Sequence, residues 1–263
     1  MMLQKQKKII NKKFLKQGYI IFDIKLKKEL NFIKTQILKI SKKYFKKKDL
    51  KINKTEYFFD DLQRYISVED LNNFRLHIYN NLNKIKNFKK IYYELAEDYL
   101  NEICGNELCM QNKINLSIQL PNDDSSLLPI HSDVWSGNSP FEVVLWIPLV
   151  NCFNTKSMFI MSPKMNSFYY KNINKFKTSD KIFMHSKKKL KWLNIKFGQG
   201  LIFTQNILHG NTVNLEKSTR WSFNCRFKSV FSPYKDKKIG EFFTPIKLKP
   251  ASIFGINYEE PSI

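Results

Sequence analysis

Arginine is scarce in this chain. Only Arg64, Arg75, Arg220 and Arg226 occur among 45 basic residues, although the formal net charge reaches +22. Such a charge ordinarily suggests nucleic acid, an anionic membrane surface or a phosphorylated substrate as partner. Lysine clusters without interleaved binding aromatics carry that signal poorly, so solvated lysine faces and attraction of an anionic ligand both stay open. Cysteine is sparse as well. Cys104, Cys109, Cys152 and Cys225 form no CxxC pair and lack the density of a secreted disulfide scaffold, so free thiols in a reducing cytoplasm are expected. Long apolar runs are missing too: the one around 141–153 is interrupted by Glu142, Pro148 and Asn151 and is too short to cross a bilayer. The basic start, Met1 to Asn11, has neither the apolar run nor the small-residue cleavage site of a signal peptide. A soluble, cytoplasmic protein with no membrane partner is expected.

What is present is a foldable chain. Its 263 residues, 43% hydrophobic and 14% aromatic, lie far from the disordered range and can bury a large core. We expect one domain over 1–263, mainly helical over 1–112 and mainly β over 113–263, sharing one core. After a strand-like Tyr19 to Phe22, apolar residues Leu30, Ile33, Ile37, Leu38 and Ile40 recur at roughly helical spacing. Further helices are predicted over 70–79 and 85–103. From residue 113 the period changes. Ile114, Leu116, Ile118 and Leu120 alternate with Asn115, Ser117 and Gln119, the signature of a half-buried strand, and a polar loop over 121–126 follows. Strands are also predicted over 141–150 and 157–161, and after the Gly198-Gln199-Gly200 turn. Trp221, Phe223, Cys225 and Phe227 then alternate with Arg220, Ser222, Asn224 and Arg226 in one clear strand. A lysine-rich stretch over 164–196 shows no clear element, and its run 187–191 beside His185 reads as an exposed excursion. The pattern is that of N-terminal helices on a C-terminal antiparallel sandwich.

The chemistry gathers on three residues. His131-Ser132-Asp133 places a histidine and an aspartate two residues apart, and in an extended chain residues i and i+2 point the same way. His209 follows a glycine turn and an apolar strand and precedes Gly210, which lets another backbone come close. His77, in a helical pattern, and His185, among lysines, have no comparable setting. Two imidazoles and one carboxylate can hold iron on one triangular face and leave the opposite positions open to dioxygen. Arg220, eleven residues beyond His209, lies on the inward register of its strand, and a planar guanidinium grips a carboxylate bidentately. Ser222 points the same way.

On these motifs the chain resembles the Fe(II)/2-oxoglutarate-dependent oxygenase superfamily in its phytanoyl-CoA hydroxylase-like branch. The wording Leu120-Pro121-Asn122-Asp123 and the run from His131 to Glu142 look most like oxygenases of carbohydrate-biosynthesis clusters, the streptomycin-biosynthesis type. The resemblance implies a double-stranded β-helix (jelly-roll) core. It makes His131, Asp133 and His209 the catalytic iron triad and gives Arg220 and Ser222 the distal carboxylate of 2-oxoglutarate. Trp146 would wall the cosubstrate pocket, and Asn211 would contact the cosubstrate. It further implies Fe(II), 2-oxoglutarate and dioxygen as reactants, and a small-molecule substrate that contains sugar and can carry negative charge. Gln119, Trp135 and Glu142 are candidate substrate-side residues, because aromatic platforms, amides and carboxylates suit sugar hydroxyls.

Four other readings compete. Arg220 to Arg226 echoes the paired arginines of nucleic-acid-dealkylating oxygenases, in which Arg226 would become the cosubstrate's partner, but Ser222 stands where those enzymes generally have Asn. A metal-free carbohydrate-binding β-sandwich leaves the triad and Arg220 unexplained. A cupin isomerase would ordinarily show two closely spaced histidines and a glutamate, and Asp133 fills the position a halogenase keeps for halide.

Overall fold

The computed structural model describes residues 2–46, 52, 57–125 and 127–261. Residue 126, in the polar loop expected over 121–126, lies outside the described residues. In chain order the strands are β1 (Tyr19–Asp23), β2 (Leu108–Gln111), β3 (Asn115–Gln119), β4 (Val143–Pro148), β5 (Phe159–Ile160), β6 (Lys191–Trp192), β7 (Gln199–Thr204), β8 (His209–Gly210), β9 (Arg220–Ser229) and β10 (Phe243–Lys247). The helices are α1 (Gln4–Gln17), α2 (Lys27–Lys46), α3 (Val68–Leu82), α4 (Phe88–Glu94), α5 (Glu97–Cys104), α6 (Pro163–Lys171), α7 (Ile173–Phe176), α8 (Ser179–Ser186) and α9 (Pro250–Ile256).

Strand β9 organises the larger sheet. Its apolar positions Trp221, Phe223, Cys225 and Phe227 are buried on the helical side, while Arg220, Ser222, Asn224 and Arg226 line a cavity on the other. One edge of β9 pairs antiparallel with β4, from Val143 opposite Phe227 to Pro148 opposite Ser222. The other edge pairs first with β3, Gln119 opposite Arg220, and then with β2, Met110 opposite Phe227. The sheet runs β1-β7-β4-β9-β2-β10 with β3 alongside β9, so two of its strands come from before residue 113. A second antiparallel sheet, β6-β5-β8, faces the cavity from the other side through His209 and Gly210. Two facing antiparallel sheets with helices at the N-terminus make the jelly-roll arrangement.

Helices α2–α5 cover the apolar face of the larger sheet. Trp221 is wholly buried, its ring centroid 5.2 Å from Phe59 and 6.1 Å from both Phe58 and Phe74, and its Nε1 donates to Phe59 O at 2.9 Å. Tyr92, equally buried, donates to Leu145 O at 2.8 Å. Each large ring buries its apolar body and satisfies its one polar atom.

Three local expectations are corrected. The helix predicted over 85–103 is broken at Leu95 and Ala96, where Ala96 N bonds back to Tyr93 O and Ala96 O accepts from Tyr99 and Leu100. Both residues favour helix, so local preference does not account for the break. The strand expected over 157–161 shortens to β5, because Ser162 caps the next helix by accepting from Met165 N, with Pro163 in its first turn. The lysine-rich stretch over 164–196, which shows no element by pattern, holds α6–α8, whose Tyr169 and Ile182 close a second apolar cluster with Ile130, Phe159, Met161 and Leu208 over the smaller sheet. A satellite core therefore joins the single one expected.

Trp221→Ala is expected to lower the unfolding free energy by about 3–5 kcal/mol in urea titrations, the cost of emptying a large buried aromatic site. A loss below about 1 kcal/mol would show that the helices do not lean on this ring.

Candidate metal centre

The segments carrying the two histidines lie antiparallel and in contact. His131 N donates to His209 O at 2.9 Å and His209 N to His131 O at 3.0 Å, while Asn211 N donates to Leu128 O at 3.0 Å. Gly210 permits this approach: a Cβ there would sit 2.7 Å from Leu128 O and 2.9 Å from the Phe159 ring. Ser132 is extended (φ −118°, ψ 133°), so His131 and Asp133 turn to the same side, and a 3-10 turn begins at Asp133 itself. Ser132 Oγ donates to Gln205 O at 2.8 Å and Asn138 Nδ2 to Asp133 O at 2.8 Å, which fix the turn from both ends.

Both imidazoles are oriented in the same way. His131 Nδ1 lies 2.7 Å from Pro129 O and His209 Nδ1 2.9 Å from Ile207 O. A carbonyl can only accept, so each ring donates from Nδ1, which leaves Nε2 as the nitrogen that can face another ligand. The two Nε2 atoms each stand 3.8 Å from an Asp133 oxygen, His131 from Oδ1 and His209 from Oδ2. One ligand atom from each of the three residues lies within 4.8 Å of the others. Burial pushes the His209 imidazole down to about 4 against the pull of Asp133, so it is neutral at pH 7. Burial alone would raise the Asp133 carboxyl, but in the acid range where it titrates the protonated His209, the Arg226 guanidinium and the protonated His131 outweigh burial and hold the group below its ordinary value. Two imidazoles with free Nε2 atoms and one carboxylate are the donor set a divalent transition metal needs.

This triad opens onto a cavity of about 520 Å³ between the sheets. Arg220, also lining it, is buried, and burial lowers its pKa. Its Nη1 donates to Ser157 O at 3.5 Å and its Nη2 to Ser117 Oγ at 3.2 Å. Its Nε and the neighbouring Ser222 Oγ are buried without a hydrogen-bond partner, and no carboxylate pairs with Arg220 among the described residues. Each orphaned buried polar group costs about 1–3 kcal/mol, so a guanidinium and a hydroxyl left this way call for an anion. Trp146 lines the same cavity. Asn211 lines it too, and its Oδ1 accepts from Leu128 N at 2.6 Å, bracing the His131 segment.

The remaining sequence candidates lie outside the lining. Gln119 is wholly buried opposite Arg220, with Nε2 donating to Thr212 O at 2.8 Å. Glu142 is buried, accepts from Ser139 N at 2.8 Å and from Gln205 Nε2 at 2.6 Å, and is raised in pKa by burial. Trp135 is 44% exposed and meets Tyr170 edge-on at 6.2 Å. Ser136, next to it, does reach the cavity, as do Asn115, Ser117 and Asn224, which sequence reasoning did not single out as site residues. The period-two pattern of β3 and β9 marked their face, but only the register shows which positions meet the cavity. Arg226 donates from Nη2 to Asp133 Oδ1 at 3.0 Å and from Nη1 to Gln111 Oε1 at 3.2 Å. His77 stays in α3, and His185, in α8, lies 2.6 Å from the Tyr169 hydroxyl.

No protein-family model and no curated protein matches the sequence. Solved structures do match. A non-heme monooxygenase, ThoJ, in complex with nickel superposes with a TM-score of 0.58 at 11% identity, over 91% of this chain and 84% of that one. HygX from Streptomyces hygroscopicus, with nickel and 2-oxoglutarate bound, gives 0.52 at 11% identity over 89% and 90%. EctD from S. alaskensis, with 2-oxoglutarate and 5-hydroxyectoine, gives 0.53 at 14% identity over 89% and 78%. The chain shares their fold. Among the described residues no helix is long and apolar enough to cross a membrane.

A histidine held near 4 in the folded protein and near its ordinary 6.5 when unfolded makes stability depend on acid. The folded form binds fewer protons between those values, so the His209 contribution is complete above pH 6.5 and is lost as pH falls toward 4. Asp133, lowered instead from an ordinary carboxylate value, loses its share only in stronger acid. His209→Gln is therefore expected to flatten the stability profile of the metal-free protein over this interval, measured by chemical denaturation. A profile as steep as wild type would contradict the buried, neutral His209.

Proposed function

We propose that this protein is a non-haem Fe(II)/2-oxoglutarate-dependent dioxygenase that hydroxylates a sugar or a sugar-bearing intermediate. The observation that carries the reading is the buried, unpaired Arg220 with Ser222 in the same cavity as the His131, Asp133 and His209 cluster. An anion site and a facial triad in one enclosure suit a metal-chelating dicarboxylate. Three solved proteins of the same fold bind nickel, 2-oxoglutarate or both.

In this reading His131 and His209 offer neutral Nε2 atoms and Asp133 the one negative ligand. Arg220 and Ser222 hold the distal carboxylate of the cosubstrate, and Trp146 walls it. When bound, iron, 2-oxoglutarate and dioxygen supply the oxidation, giving succinate and carbon dioxide, with one oxygen atom entering succinate and the other the substrate C–H bond as hydroxyl. The chain's part is to place the reactants and exclude water. Asn211 contributes by holding Leu128, and so the segment that ends in His131.

The rest of the cavity favours a polyhydroxy substrate. Asn115, Asn224, Ser136 and Ser179 present amides and hydroxyls, and among the described residues Asp133 is the only carboxylate in the lining. Trp135 would serve as an exposed apolar rim beside Ser136, with Gln119 and Glu142 supporting the walls behind. The substrate is then a small, neutral or anionic molecule handled in the cytoplasm. Arg226, on which a nucleic-acid-dealkylating reading turns, is already engaged by Asp133.

Anaerobic addition of Fe(II) and 2-oxoglutarate is expected to give the visible charge-transfer band of a metal-bound 2-oxo acid. Its absence from folded protein, or its persistence in His209→Ala, would contradict the triad. At saturating iron, Arg220→Ala is expected to weaken 2-oxoglutarate binding about 10- to 150-fold, the loss of charged hydrogen bonds of about 1.5–3 kcal/mol. Succinate release across nucleotide sugars tests the substrate class, and coupling only to non-sugar compounds would displace the sugar.

A further inference from the structure

The two arginines of β9 share a face, yet they are held differently. Arg220 has no acidic partner, whereas Arg226 forms a short bond to a residue of the triad. Its Nη2 reaches Asp133 Oδ1 at 3.0 Å, and its Nη1 is held by Gln111 Oε1 at 3.2 Å. Gln111 is buried at the end of β2, and Arg226 stands opposite Val144 in the β4–β9 ladder, so both ends of the guanidinium are anchored in the larger sheet. Asp133 Oδ2 accepts no hydrogen bond among the described residues and faces His209 Nε2 at 3.8 Å.

We propose that Arg226 is a positioning residue that reserves Oδ1 and leaves Oδ2 as the one oxygen through which Asp133 holds the metal. The inference rests on the metal-centre reading above. A carboxylate with both oxygens free can chelate a metal and fill two coordination positions. An octahedral centre that must take a bidentate 2-oxo acid and dioxygen beside three protein ligands has no position to lose. A planar guanidinium, fixed at its far corner by Gln111, blocks the second oxygen more firmly than a mobile lysine ammonium could.

The test uses Mn(II), which binds oxygen and nitrogen donors and whose bound water is counted by water-proton relaxation. Wild type, Arg226→Met, Arg226→Lys and Gln111→Leu are titrated with Mn(II), and then with 2-oxoglutarate at saturating metal. Arg226→Met is expected to bind Mn(II) about 10-fold more tightly, because the metal ion no longer meets the guanidinium charge and gains the second Asp133 oxygen. It is also expected to show one exchangeable water fewer per bound metal as Asp133 chelates. Arg226→Lys should recover that water, and Gln111→Leu should shift both readings in the same direction by less. Unchanged affinity and water count in Arg226→Met, with 2-oxoglutarate binding impaired, would overturn the proposal and make Arg226 a ligand of the cosubstrate. Should Arg226→Met fail to fold, unchanged readings in both Arg226→Lys and Gln111→Leu would overturn it equally. Wild type that binds no Mn(II) would overturn the metal centre itself, a result distinct from any change confined to the variants.

Discussion

Two backbone hydrogen bonds join His131 to His209, and the candidate site depends on them. They force histidines far apart in sequence to stand directly opposite each other, with ring centroids 4.4 Å apart. Each ring then finds a carbonyl two residues back for its Nδ1, so orientation and tautomer follow from local backbone geometry. Gly210 is the covalent condition for this contact, because any side chain there would collide with Leu128 O. A site built on a backbone ladder is more rigid than one built on side-chain contacts alone, and rigidity is what a metal centre with open positions requires.

Strand β9 couples the site to the fold. Its apolar residues anchor it under the helices through Trp221 and Phe223, and the alternate positions carry Arg220, Ser222, Asn224 and Arg226 into the cavity. One strand therefore spans the cavity, with Arg220, which has no acidic partner among the described residues, at one end and Arg226, bonded to Asp133, at the other. Roughly 3.3 Å per residue separates the two Cα atoms by about 20 Å, which explains why chemically identical side chains have different partners. Arg220 is buried without a counter-charge among the described residues, whereas Arg226 is bonded to Asp133 at 3.0 Å.

Much of this was legible in the residues. Period-two alternation identified β3 and β9 and the inward face of Arg220 and Ser222, and the His131-Ser132-Asp133 spacing with Gly210 beyond His209 marked the residues that the structure brings together. The partner of Arg226 was not legible, because it depends on where a turn begins at Asp133 and on the register between β2 and β9, neither of which is local. Helices α6–α8 went unseen among lysines, although Ser162-Pro163 and Thr178 are capping signals for two of them. Gln119 and Glu142 suited a substrate by residue type alone. Their hydrogen bonds to Thr212, Ser139 and Gln205 arise only from tertiary contact.

The most direct measurement is anomalous X-ray diffraction at the nickel edge from crystals grown with Ni(II) and 2-oxoglutarate. The account predicts one strong peak about 2.1 Å from His131 Nε2, His209 Nε2 and a single Asp133 oxygen, with the distal carboxylate of 2-oxoglutarate on Arg220 and Ser222. A peak held by other residues, no peak in this cavity, or a dicarboxylate seated on Arg226 would contradict it.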